Sequence, residues 1–277
     1  MNLDEKISEV KKILDGTKNI LIGAGAGLST AAGLNHGGER FKKYFADFEE
    51  KYNFHDMYSG GFYPYETMGE FWAFWARNIL FNRYDQPKST VHQKLLQIVR
   101  DKNYFVLTTD VDHLFQNNGF DKSKLFYTQG DYGLFQCSTP CHQKTYDNEK
   151  IVREMFAHEK NMSVPEKYFP RCPKCGEIMT TNLRIDDKFV EDSGWKAAAY
   201  RYKKFLSSHL NDEIIFLELG VGGNTPGIIK FPFWQMTAQN PKSKYICINF
   251  GESFAPKEIL PQSYLIDADI KEVLEKL

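Results

Sequence analysis

The chain has 277 residues, a formal net charge of -1 and 15% aromatic residues. That length allows a sizeable core in one large domain or two unequal ones, and the charge gives no reason to expect nucleic acid or an anionic membrane as partner. No apolar stretch reaches the ~18 residues of a membrane span, and the charged N-terminus lacks a signal peptide's apolar run; a cytoplasmic protein is expected.

MNLDEKISEVKKILDG reads as an amphipathic helix with Ile7, Val10, Ile13 and Leu14 on its apolar side. Asn19–Gly25 (NILIGAG) reads as a buried strand running into a glycine turn, and Ser29–Leu34 opens a helix. From Asn35 to about Gln86 the chain is an aromatic, mostly helical insertion, interrupted by the loop GGFYPYE. Its rings are either a helical core or the wall of a pocket. His92–Arg100 continues as helix, Asn103–Asp110 is a strand ending in polar residues, and Lys124–Asp131 is another short strand.

From Cys137 to about Val190, cysteines, prolines and charges alternate with little periodicity, the composition of a small metal-stapled module. A helix over Trp195–Leu210, a strand and glycine turn over Glu213–Gly223, a strand over Lys244–Asn249 and a closing helix in ADIKEVLEKL complete the chain. Strands alternating with helices predict an α/β fold, a doubly wound parallel sheet. The expected division is a Rossmann-like domain over 1–35, 86–136 and 196–277, a helical insertion over 36–85, and a zinc-binding module over 137–195.

Three motifs carry chemistry. In GAGLSTAAGL (Gly25–Leu34), small residues allow close backbone approach to a pyrophosphate, and the helix that follows supplies N–H donors. Such turns also occur in α/β proteins that bind no nucleotide. In Thr108–His113, polar groups end a parallel strand where doubly wound folds hold ligands; the alternative is that Asp110 and Asp112 cap the next helix. The pairs Cys137-x3-Cys141 and Cys172-x2-Cys175 have the spacing of a tetrahedral Zn(II) site of four thiolates, with free thiols as the alternative and His142 as a minor alternative ligand. Cys247, inside an apolar strand, reads as a core residue.

Taken with TQGDYG at Thr128–Gly133, these motifs resemble the NAD-binding and catalytic core of the sirtuins, from about Asn19 to Ile270. The resemblance implies a sirtuin-like (DHS-like) Rossmann fold with NAD and Zn(II) as cofactors. It implies a pyrophosphate site at Gly25, Ala26, Gly27, Ser29 and Gly33, with Arg40 and Phe41 in the place of a family Phe-Arg pair. Thr109, Asp110 and Asp112 match the block that holds nicotinamide and its ribose, Asp110 standing where the family has asparagine. Gly220, Val221 and Gly222, then Asn249, then Asp269 and Ile270 match the turns along the rest of the dinucleotide.

Gln129 stands where sirtuins carry the histidine that acts as base on the ribose hydroxyls in lysine deacylation. A glutamine amide can orient groups but has no useful basicity near neutral pH. His113, His142 and His158 lie off the matching position and read as structural or exposed. Arg184 matches the family arginine, and Phe189-Val190-Glu191 replaces the Phe-Gly-Glu element that docks acyl peptides. The phrasing VDHLF, LFYTQGDYGLFQC and GVGGNTPGIIK is similar to the macrodomain-linked, class M sirtuins. That resemblance implies an NAD-dependent protein mono-ADP-ribosyltransferase with Gln129, Asp110, Asp112 and Arg184 as catalytic residues. It further implies a lipoylated glycine-cleavage H-like carrier as substrate, a macrodomain ADP-ribosyl hydrolase as functional partner, and a role in oxidative stress. The alternatives are a weak NAD-dependent protein-lysine deacylase and a non-catalytic NAD or ADP-ribose sensor.

Overall fold

The computed structural model describes residues 2–209, 211–223 and 226–277. Met1 of the first expected helix, Leu210 at the end of the Trp195–Leu210 helix, and Asn224 and Thr225 of the GVGGNT turn lie outside the described residues.

Six parallel strands form the main sheet: β1 (Asn19–Ala24), β2 (Asn103–Thr108), β3 (Leu125–Tyr127), and, after a second sheet, β7 (Ile214–Leu219), β8 (Lys244–Ile248) and β9 (Ser263–Ile266). Their spatial order is β3-β2-β1-β7-β8-β9. This is the dinucleotide-fold order, reversing direction between β1 and β7. Register brings Ala24 level with both Thr108 and Leu219, so the C-terminal ends of three strands open at one edge.

The strands are buried on both faces, as a parallel sheet requires. Ile20, Ile22, Val106, Ile215 and Leu217 face a core completed by helices α1 (Leu3–Gly16), α6 (Thr90–Val99) and α11 (Ile270–Lys276). Leu21, Phe105, Leu107 and Phe216 point the other way, toward α9 (Ser193–Ser208) and α10 (Lys230–Gln239). Asn2 closes a capping box with Glu5 at the start of α1.

The second sheet is antiparallel, ordered β5-β4-β6, from β4 (Gly130–Cys137), β5 (Thr145–Asp147) and β6 (Met179–Leu183). The expected domain boundary at 136 therefore falls at the far end of a strand that belongs to this small sheet. Moreover, the helical insertion and the cysteine segment share one core. Phe41, Phe45 and Phe48 of α3 (Gly38–Tyr52) and Trp72 and Phe74 of α5 (Met68–Ile79) pack with Phe135, Met155, Cys172 and Met179. Helix α8 (Glu149–His158) lies within the stretch whose composition looked irregular, and β9 and α10 also had no clear signal in the sequence. Among the described residues, no helix is long and apolar enough to cross a membrane.

Candidate active site

The glycine turn after β1 is packed against the turn after β7. The Gly25 N–H donates to the Leu219 carbonyl at 3.1 Å, and the Gly27 N–H to the Gly220 carbonyl at 2.9 Å. A Cβ on Gly27 would stand 2.7 Å from the Gly220 Cα, so the close approach of the two turns demands glycine. These two N–H groups are thus spent on the switch point itself. Helix α2 (Ala26–Ala31) starts directly after Gly25, and Gly33, at φ +90°, ends it as a left-handed cap.

Ser29 on α2 reaches across to the neighbouring loop, its hydroxyl donating to Asp112 Oδ2 at 2.5 Å. The other Asp112 oxygen accepts the Leu114 N–H at 2.9 Å. Asp112 therefore meets the first N–H of α7 (Leu114–Asn117) from just before its N-cap, His113, and the same carboxyl is tied to the glycine motif. Asp110 accepts from the Thr108 hydroxyl at 3.1 Å. The residue is half-buried, and burial, then the adjacent Asp112, pushes its carboxyl well above the ordinary carboxylate range. Burial raises Asp112 as well, against the opposing hydrogen bonds from Ser29 and Leu114. Two crowded carboxyls at the end of β2 make a site that favours a proton or a developing positive charge.

Gln129 follows β3 and is half-buried; its carbonyl accepts the Arg184 N–H at 3.0 Å, so the two predicted residues sit side by side on the backbone. The Arg184 guanidinium pairs with Glu191 at 2.5 Å and lies over the Phe189 ring at 4.5 Å and the Trp195 ring at 5.2 Å. Gly130, at φ +96°, lies so close to Asn182 that a Cβ would meet its carbonyl at 1.9 Å, so no side chain can follow Gln129 there.

Farther along the edge, the Asn249 amide donates to the Val221 carbonyl at 3.1 Å, and Thr109 donates from its backbone to Ala24 at 3.1 Å. Gly222 is exposed at the same edge. Three other predicted residues are occupied differently. Arg40 donates to Asn82 Oδ1 at 2.7 Å and to the Phe81 carbonyl at 2.8 Å, tying α3 to the turn after α5. Asp269 caps α11 through the Glu272 N–H at 3.0 Å, and the Ile270 side chain is in the core. Sequence reading missed Gln86, whose amide holds the Asp112 carbonyl at 2.7 Å, and Arg83, which pairs with Asp131 at 2.8 Å. Neither has a linear signal, because each partner lies across the fold.

The four cysteines converge, with their sulfurs all within 4.8 Å of one another. Cys137 and Cys175 are 3.6 Å apart and Cys141 and Cys172 are 3.7 Å apart. A tetrahedron with metal–sulfur bonds of about 2.3 Å has edges of about 3.8 Å, so the set fits structural zinc. Burial pushes Cys137 and Cys172 up, but backbone amides of the two turns reverse this and favour the thiolates. His142 Nδ1 stands 3.0 Å from the Cys141 sulfur while its Nε2 meets the Tyr146 hydroxyl at 2.7 Å, a supporting contact outside the ligand set. Cys247 is a core thiol, pushed up to about 12 by burial and Glu218.

The sequence profile of the Sir2 family matches residues 25–191. A protein ADP-ribosyltransferase of Staphylococcus aureus (strain Mu50) is 36% identical over 276 residues, covering 98% of this chain and 88% of that protein. A Fusarium oxysporum f. sp. cubense protein, named a probable bifunctional ADP-ribose hydrolase/ADP-ribosyltransferase, is 29% identical over 274 residues; these are 91% of this chain and 44% of the fungal one. Among solved structures, Sir2Tm bound to a propionylated peptide superposes with a TM-score of 0.62 at 18% identity, covering 98% of this chain and 96% of that one. At that identity the superposition speaks for the fold.

Proposed function

The chain belongs to the Sir2 family, and from that premise we propose that it is an NAD-dependent protein mono-ADP-ribosyltransferase. NAD lies along the C-terminal edge of the sheet, its pyrophosphate at Gly25–Ser29 and its nicotinamide near Asp112. The glycosidic C1′–N bond breaks, nicotinamide leaves with the bonding electrons, and a nucleophile of the acceptor protein attacks C1′ as it gives up its proton. Asp110 and Asp112 favour the positive charge that develops on the ribose. Gln129 and Arg184, adjacent through their backbones, orient ribose and acceptor. Cys137, Cys141, Cys172 and Cys175 would hold a zinc whose four positions are all filled by sulfur, a closed site that would brace the small sheet and leave no position open for the chemistry.

The observation that carries this reading is Gln129 in the place of a base. Transfer to an external nucleophile needs no proton acceptor at the ribose hydroxyls, whereas deacylation does. The Staphylococcus relative bears the transferase name over nearly the whole length of this chain. As acceptor we propose a lipoylated glycine-cleavage H-like carrier. A macrodomain hydrolase would reverse the mark, a pairing that the fungal relative's bifunctional name supports. The reaction belongs in the reducing cytoplasm, where a thiolate set persists, in a response to oxidative stress.

The test is to incubate the chain with labelled NAD, with and without the carrier, and to follow label on protein and free nicotinamide. Carrier-dependent label is expected, and Gln129→Ala should lower its rate by about tenfold or more. Release of O-acyl-ADP-ribose from an acetylated peptide would favour the deacylase instead. NAD binding without nicotinamide release would favour a sensor.

A further inference from the structure

A second polar cluster stands beside the site, centred on the buried carboxylate of Asp131. His113 Nδ1 lies 2.5 Å from Asp131 Oδ2. The other oxygen accepts from Arg83 Nε at 2.8 Å and from the Gly133 N–H at 2.7 Å. Burial alone would raise this carboxyl; His113 and Arg83 reverse that and hold it below the ordinary range.

Three segments meet there. Arg83 belongs to the turn Leu80–Tyr84 after α5, His113 follows Asp112 directly, and Asp131 lies two residues after Gln129. The loop between β2 and α7 is held from other sides as well, by the Tyr132 N–H on the Val111 carbonyl at 2.9 Å and by Gln86 on the Asp112 carbonyl. Meanwhile His113 has φ +69°, a left-handed backbone that residues with a side chain seldom take. Strained backbone of this kind persists where the surroundings over-determine it, and it clusters at working sites. A glycine would suit this backbone at least as well, and only the side chain supplies the hydrogen bond to Asp131.

We propose that His113 is a positioning residue for the transfer reaction: through its hydrogen bond to Asp131 it locks the Asp110–Asp112 loop to the strand that follows Gln129, with Arg83 steadying the carboxylate. The role depends on a donor at Nδ1. It rests on the transferase reading only for its kinetic consequence.

Two substitutions separate this role from its rivals. Asparagine places an amide nitrogen where Nδ1 stands and tolerates a left-handed backbone; glycine relaxes the backbone and removes the donor. For His113→Gly, kcat for carrier-dependent nicotinamide release should fall about tenfold or more, with KM for NAD within about twofold. For His113→Asn, kcat should recover to within about threefold of the wild-type value. Amide hydrogen exchange supplies a readout free of activity: the Leu114 and Tyr132 N–H groups should exchange about tenfold faster in His113→Gly and at the wild-type rate in His113→Asn. Wild-type kinetics and exchange in His113→Gly would overturn the proposal. So would a His113→Asn variant as slow as His113→Gly, which would mean that the ring itself is needed. Should the wild-type chain release no nicotinamide, the transferase reading fails, and the exchange rates still decide whether the lock exists.

Discussion

On one face of the six-stranded sheet, Ile20, Ile22, Val106 and Leu217 meet helices through aliphatic branches, and rings such as Phe105 and Phe216 are confined to the other face; the second lobe is built ring on ring throughout. Phe41 stacks on Phe45 at 5.6 Å, Phe45 meets Phe74 at 5.1 Å, and Trp72 meets Phe135 at 5.1 Å across to the small sheet. The central strands of the sheet, β1, β2 and β7, pair in register over six residues each; in the lobe, β5 pairs over only three residues and the long strand β4 meets β6 with an irregular register between Gly130 and Phe135. What the sheet gains from regular pairing, the lobe must gain from aromatic packing and from a metal that its four clustered cysteines would hold. The candidate active site lies where the two meet, with Asp110 and Asp112 on the sheet side and Gln129 and Arg184 on the lobe side.

Removing the metal should separate the lobes most sharply. Chelation, or Cys172→Ser, is expected to withdraw on the order of 10 kcal/mol of metal-linked folding energy from the lobe alone. Hydrogen exchange should then show protection lost over β4–β6 and kept over β1, β2 and β7. Uniform loss would mean that the two lobes fold as one unit.

The sheet has its own sensitive point. Lys230 Nζ and Glu218 Oε1 are 2.5 Å apart with side-chain exposures of 2% and 0%, and the Tyr245 hydroxyl donates to the other Glu218 oxygen at 2.5 Å. Lys230→Met should cost about 3–5 kcal/mol by stranding a buried carboxylate, and adding Glu218→Gln should recover part of it. Urea unfolding reads both, and the lobe's exchange protection should not change beyond the global loss of stability.

A smaller effect, of opposite sign, is expected at the crevice. Asp110 binds its proton more tightly in the folded chain than in the unfolded one, so its ionisation opposes folding. That penalty is absent below the unfolded value near 3.8 and grows as the pH rises toward the folded value. Asp110→Asn should therefore raise the melting midpoint at pH 7 by roughly 2–4 °C, the shift that ~1 kcal/mol produces in a chain of this size. The gain should vanish below about pH 4; a gain that persists there would assign it to packing and not to charge.

Much of the sheet was legible in the sequence. NILIGA, NYFVLT, IIFLEL and KYICI are apolar runs ended by glycine or polar residues, and the structure places strands at all four. Their local pattern suffices because both faces are buried. The cysteine pairs were equally plain, since turn geometry makes their short spacing informative. Helix α8 was hidden because only Val152 and Met155 are fully buried on it, and β9 because three of its four residues are only half-buried.

Most strands of the main sheet, the glycine turns and the cysteine pairs are written locally in the chain, because each is specified by neighbours within a few residues. That Gly27 serves the contact with Gly220, that Arg40 is spent on Asn82, and that Asp131 gathers Arg83 and His113 became visible once the chain was folded. These pairings join residues far apart in the chain. The fold brings them together through shared burial, where a polar group must find whatever partner is in reach.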